Sequence, residues 1–215
     1  MRAAPGELAA MIEDLQALVA DGYYDAADRQ PPWIMRHSQG DHWDLMLLEP
    51  VTRYSDFFAE ARLIAADNAP STHNQRLTAL GSRTAFREEL FAYGPSPSVL
   101  GQDFETAGLY HIEMFRALPG LKTTLIEQRE MENAYLADTS QVSNFIFTGD
   151  MGSDFDVFTI GTHDNLESFA ASPDLPAETF AQAAVDAGFE SRSTIGFYLR
   201  SLITSHNDTL ATPVR

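Results

Sequence analysis

Apolar and polar positions change period along the chain, and the changes recur in a fixed order. Leu109 to Phe115 (LYHIEMF) alternates ionisable with apolar residues, a period of two that predicts a strand. Pro119-Gly120 then opens a helix predicted to run to about Asp138. Two further strand-like runs, Asn144 to Thr148 and Phe155 to Ile160, flank a turn-prone stretch from Gly149 to Asp154 and predict a hairpin. A second helix is expected to open at Asp164, an N-cap residue with Glu167 three positions on, and a third to run from Pro176 to Gly188. The apolar run Ile195 to Ile203 completes the order β-α-β-β-α-β as a last strand.

The first half follows the same order from its helix onward. Leu15, Leu18 and Val19 share one face of a helix predicted over Pro5 to Ala20. A hairpin over Trp33 to Leu48, helices after Thr52 and near Thr72, and a strand from Leu90 to Tyr93 complete it. MRAAPGELAAMIEDLQ at Met1 reads against FRALPGLKTTLIEQRE at Phe115, matching Arg2, Ala3, Pro5, Gly6 and Ile12 to Arg116, Ala117, Pro119, Gly120 and Ile126. GDHWDLMLL from Gly40 reads against GSDFDVFTI from Gly152, so Trp43 and Asp44 meet Phe155 and Asp156. The expectation is α+β: two tandem ferredoxin-like units, an incomplete one over 1–95 and a complete one over 106–215, with GPSPSVLG (Gly94 to Gly101) as the boundary. Met1 aligns with the end of a strand, so the first strand of the first unit is expected to be missing or truncated, with the true start upstream.

Composition narrows the partners. With 14 basic against 31 acidic residues the formal charge is −17, which repels nucleic-acid phosphates and anionic lipid. No run approaches the roughly 18 apolar residues of a membrane span, so a soluble chain is expected. Its localisation reads as cytoplasmic as written, or exported if an upstream signal was removed. The absence of Cys excludes disulfides, thiolate nucleophiles and Cys-based metal centres.

The segments LYHIEMFRALPG, GDHWDLMLL and GSDFDVFTI and their duplicated order resemble the dimeric α/β-barrel superfamily, including its NIPSNAP-like and antibiotic-monooxygenase-like members. The resemblance implies two sheets closing face to face into an intrachain barrel that holds a small molecule. It implies three functions: a small-molecule-binding protein first, a cofactor-free monooxygenase-like or haem-using enzyme second, and a structural or assembly module third. Pairing into a homo-oligomer is also within what it implies. No motif implies a cofactor, and haem enters only through the resemblance.

Residues that differ between the copies are the candidates for chemistry. Residues shared by both, such as Asp44 and Asp156, read as structural. His111 and Glu113 alternate with Tyr110, Ile112 and Met114 and share one sheet face. If the apolar face meets the helices, this pair lines the barrel with Trp33 and serves as general base and orienter; the alternative is a polar face in water. Arg129, Glu132 and Asn133 stand where the first copy has Leu15, Leu18 and Val19, either reaching an inner pocket or lying in solvent. His37 and His42 face each other across the first hairpin beside Asp44, a set that could hold a divalent ion although no metal motif supports one. His73, His163 and His206 are expected in exposed loops or the tail.

Overall fold

The computed structural model describes residues 1–67 and 70–215. The chain forms two compact units, Met1–Ser38 with His42–Glu88 and Thr212–Arg215, and Gln39–Asp41 with Glu89–Ala211.

The second unit holds an antiparallel sheet backed by helices. Its elements are β5 (Phe91–Tyr93), α6 (Pro97–Thr106), β6 (Leu109–Ala117), α7 (Lys122–Asp138), β7 (Phe145–Met151), β8 (Val157–His163), α8 (Leu166–Ala170), α9 (Ala177–Asp186), α10 (Ile195–Leu202) and β9, which starts at Ile203. The strand order is β9-β6-β8-β7-β5. Phe115, Leu125, Val157, Leu199, Leu202 and Ile203 pack together where α7 and α10 cover one sheet face. On the other face lie Tyr110, Ile112, Phe158 and Ile160, all buried, with Phe104 of α6 in ring contact with Tyr110 at 5.4 Å.

The first unit contains β1 (Arg2–Ala3), α1 (Leu8–Ala20), α2 (Tyr23–Ala26), β2 (from Trp33), β3 (Leu45–Leu48), α3 (Tyr54–Phe57), α4 (Glu60–Asp67), α5 (Ser71–Arg83) and β4 (Thr84–Phe86). Met11, Leu15 and Leu18 of α1 recur at helical spacing and are buried with Ile34, Leu45 and Leu80. β2 pairs with β3, and β1 with β4.

The same backbone devices occur inside each unit. Glu7 N–H bonds the Ala4 carbonyl and Leu121 N–H the Leu118 carbonyl, both at 2.9 Å. The turns so closed have Pro then Gly at their centres, with Gly6 at φ 85° and Gly120 at φ 80°, the type II geometry in which glycine avoids a Cβ clash. The Asp44 carboxylate accepts from Ala3 N–H at 2.7 Å, and the Asp156 carboxylate from Ala117 N–H at 2.8 Å. Their own amides donate to the carbonyls of Met1 and Phe115, each at 2.9 Å. β1 pairs Arg2 with Phe86 and Ala3 with Thr84; β6 pairs Arg116 with Ser205 and Ala117 with Ile203; each ladder shifts register between its two pairs.

Three expectations change. Ile195–Leu202 is helix α10 rather than the last strand, because Leu199 and Leu202 bury one helical face; β9 follows from Ile203 to Pro213. The expected boundary GPSPSVLG runs into α6: Ser96 stands at its N-cap position without a side-chain bond, Pro97 takes the first turn, and Leu100 and Phe104 are buried on either side of a break at Gly101. The strand expected at Leu90 to Tyr93 is β5, Phe91–Tyr93, which pairs with β7; β1 pairs with β4. Helix α8 is capped by Asn165 rather than Asp164, the Asn165 side chain accepting from Ser168 N–H at 3.0 Å in a reciprocal box.

Candidate functional site

The site is built on β6 and its two neighbours. Register places Thr159 of β8 and Asp208 of β9 on either side of Glu113, with Gly161 and Leu210 beside His111 and Val157 and His206 beside Phe115. Directly paired residues share a sheet face, so His111, Glu113, Thr159, His206 and Asp208 all project to one side. That side is the one α7 covers. The condition set for lining a barrel, that the apolar face meet the helices, is not met for α7: His111 and Glu113 point toward α7, and the apolar alternates Tyr110, Ile112 and Met114 occupy the opposite face. The pleat fixes which residues go together but not which face the helices take.

Arg129 of α7 is the centre of the charged group. It is 2% exposed, and its guanidinium lies 4.9 Å above the Phe115 ring. It donates to the Gln128 side chain at 2.8 Å and to Glu132, and it approaches Glu113 at 3.5 Å. Glu113 Oε2 also accepts from the Thr159 hydroxyl at 3.1 Å, and Gln128 bonds Glu132 at 3.2 Å. Burial raises the Glu113 carboxyl above its ordinary value, against the pull of Arg129 and with added push from Glu132 and Asp208.

The exposed margin of the group lies on β6 and β9. His111 Nε2 is 3.9 Å from Asp208 Oδ1, and His206 Nε2 is 3.1 Å from Asp208 Oδ2. Arg200 donates to His206 Nδ1, so the proton sits on His206 Nε2 and is donated to Asp208. Phe169 of α8 packs on both His111, at 5.1 Å, and His163, at 5.2 Å. Burial lowers the His111 imidazole below its ordinary value, outweighing the attraction of Asp208 and Glu132. His163 is lowered by burial first and by His111 second. The margin thus presents an imidazole that is neutral at pH near 7 beside two carboxylates, a set of acceptors for hydroxyl, amine or cation.

Sequence candidates are distributed between the units. His111, Glu113 and Arg129 meet in the second unit; Trp33, His37 and His42 belong to the first. His37 N–H bonds the Asp44 carbonyl across the hairpin and the His37 ring packs on Trp43 at 5.4 Å, whereas His42 packs on Phe86 at 5.5 Å, so His42 is not the cross-strand partner of His37. His73 is 5% exposed on α5, with Nε2 3.1 Å from the Asp21 carbonyl, and His206 lies on β9, so neither is an exposed loop residue. Asp208, His206, Thr159 and Gln128 were missed. The alternation His206, Asp208, Leu210 against Asn207, Thr209, Ala211 is a strand signal that finds the first two once the last strand is moved past Ile203.

Haem, which the superfamily resemblance implies, needs an axial side chain facing a roomy cavity. Depressions of about 520 and 400 Å³ flank β1 and β4 and contain no histidine. Among the described histidines, His37 packs on Trp43, His42 on Phe86 and His73 on Tyr23, while His111, His163 and His206 are packed on Phe169 or Phe115. These residues do not fit haem.

No protein-family model matches the chain, and no curated protein matches it. A solved structure described as an anthrone oxidase-like protein aligns with a TM-score of 0.47 at 11% identity, over 94% of this chain and 86% of the other. A protein of Lactobacillus acidophilus NCFM, provisionally described as a monooxygenase, aligns with a TM-score of 0.53 at 7% identity, over 100% of this chain and 91% of its own. The Lactobacillus likeness is one of fold across the whole chain.

Proposed function

We propose that the chain is a small-molecule-binding protein of the dimeric α/β-barrel type, built from two tandem ferredoxin-like copies, whose second copy carries the ligand site at His111, Glu113 and Arg129. The matched Pro-Gly turns, the paired Asp44 and Asp156 bonds and the equal register shifts support the duplication. One observation carries the ligand reading. Arg129 is 2% exposed at the position where the first copy buries Leu15 at 1%, and Glu132 stands where it buries Leu18. Replacing a buried ion network by packed apolar residues of similar volume is often neutral or stabilising by about 1–4 kcal/mol. The fold works with leucines there, so the second copy keeps charge for a task other than stability. The ligand is a small hydroxylated molecule whose donors meet His111, Asp208 and Glu132, with Arg129 balancing the carboxylates from beneath.

The test is thermal denaturation with a panel of phenols and polyols. A compound at about a hundred times its Kd stabilises the native protein by about 2.7 kcal/mol. A combined Glu113→Gln, Arg129→Leu, Glu132→Leu variant is expected to fold at least as stably and to lose the shift. If no compound moves the wild-type Tm, the ligand reading fails and a filled structural module takes its place.

The fold shared with the Lactobacillus protein favours a second reading, a cofactor-free monooxygenase-like enzyme. Oxygen consumption with phenolic compounds, lost in His111→Ala, supports it; no consumption with any member of the panel refutes it.

A further inference from the structure

We infer that His111, Glu113 and Asp208 form a binding site for a divalent transition-metal ion. Their ligating atoms lie within 4.8 Å of one another, the one such group of three among the described residues. Two come from directly paired positions, Glu113 opposite Asp208, and His111 lies two residues along β6 on the same face. The donors therefore sit on a rigid two-strand ladder rather than on loops.

The surroundings are those of a metal centre. One oxygen of each carboxylate is fixed by a neighbour: Thr159 and Arg129 hold Glu113 Oε2, and His206 holds Asp208 Oδ2, the latter steadied by Arg200. The remaining oxygen of each is available, and Asp208 Oδ1 already lies on the His111 side at 3.9 Å. Outer partners of this kind orient metal ligands. A tetrahedral ion with bonds near 2.1 Å spaces its ligands about 3.4 Å apart, so closure needs roughly an ångström of movement. Asp208, at 53% side-chain exposure, is free to supply it. Electrostatics point the same way, because Glu113 and Glu132 share a single buried guanidinium, that of Arg129, and Asp208 adds a third carboxylate beside His111 and His206. One imidazole with two carboxylates suits Zn²⁺ or Mn²⁺ better than Mg²⁺ or Ca²⁺, which take oxygen alone.

This site does not depend on the ligand reading above, and its test uses the metal alone. Tag-free protein stripped with chelator is titrated calorimetrically with Zn²⁺ and with Mn²⁺. The wild type is expected to bind one equivalent with a Kd of about 10 µM or tighter. His111→Ala and Asp208→Asn are each expected to weaken binding at least about tenfold, and Glu178→Gln, on an exposed carboxylate of α9, to leave it unchanged. Circular dichroism checks that each variant is folded, and His111→Gln replaces His111→Ala if the latter is not. Wild-type binding weaker than about 100 µM overturns the proposal, as does undiminished binding in either ligand variant, which would mark diffuse uptake by the acidic surface. Metal uptake without any response to phenols or polyols, or the reverse, separates this site from the ligand reading.

Discussion

Single residues hold each unit's first strand to its hairpin. Asp44 and Asp156 each accept a backbone N–H from two strands' meeting point while donating their own amide, so truncation leaves a half-buried donor without its charged acceptor. Asp44→Ala and Asp156→Ala are each expected to cost about 2 kcal/mol in urea denaturation, the two values agreeing closely. Gly108 acts through absence of a side chain. Its N–H bonds the His163 carbonyl at 2.9 Å, and a Cβ there would stand 1.9 Å from the Asp164 carbonyl oxygen. Gly108→Ala is expected to lower stability by more than about 2 kcal/mol, measured in the same way. The two aspartates were legible in the sequence because both copies have them. Asp208 was not, because nothing local separates a metal-site aspartate from a solvated one.

At the scale of elements, the decisive contact is α7 on β6. Arg129, held by Gln128 and Glu132, reaches Glu113, which also accepts from Thr159, joining a helix and two strands through charge where the first unit uses leucine. Removing the cation alone leaves Glu113 and Glu132 uncompensated, so Arg129→Leu is expected to cost about 3–5 kcal/mol. The combined Glu113→Gln, Arg129→Leu, Glu132→Leu variant is expected to regain that loss. A combined variant no more stable than Arg129→Leu would show that the network is needed for packing. The helix α10 and strand β9 teach the complementary lesson. IGFYLRSLI is rich in β-branched and aromatic residues, yet it forms a helix because Leu199 and Leu202 reach the core from one helical face; SHNDTLATP is polar, yet it forms a strand because β6 offers it a ladder.

For the whole molecule, burial of titratable groups makes stability depend on pH. His163 has a folded value below its ordinary 6.5. Its contribution is therefore complete above 6.5 and is lost as pH falls through the lower folded value. Glu113 runs the other way: its raised folded value makes its contribution complete below the ordinary 4.5 and lost as pH rises through that raised value. In chelator-containing buffer the wild type is expected to lose stability as pH falls below 6.5, and His163→Asn to lose less; parallel curves for the two would refute the assignment. Among the described residues no helix is long and apolar enough to cross a membrane.

The sequence by itself determined the α+β class, the matched Pro-Gly steps ahead of α1 and α7, the helix α7, both hairpins and the grouping of His111 with Glu113. Each follows from local geometry, whether a fixed φ, a helical face or the alternation of a pleat. Tertiary structure alone decided which sheet face the helices cover, that Leu202 ends a helix and Ile203 starts a strand, and that Asp208 and His206 join His111 and Glu113. Those outcomes depend on pairings between β6 and β9, whose paired residues stand about ninety positions apart, and on which burial leaves fewest polar groups without partners.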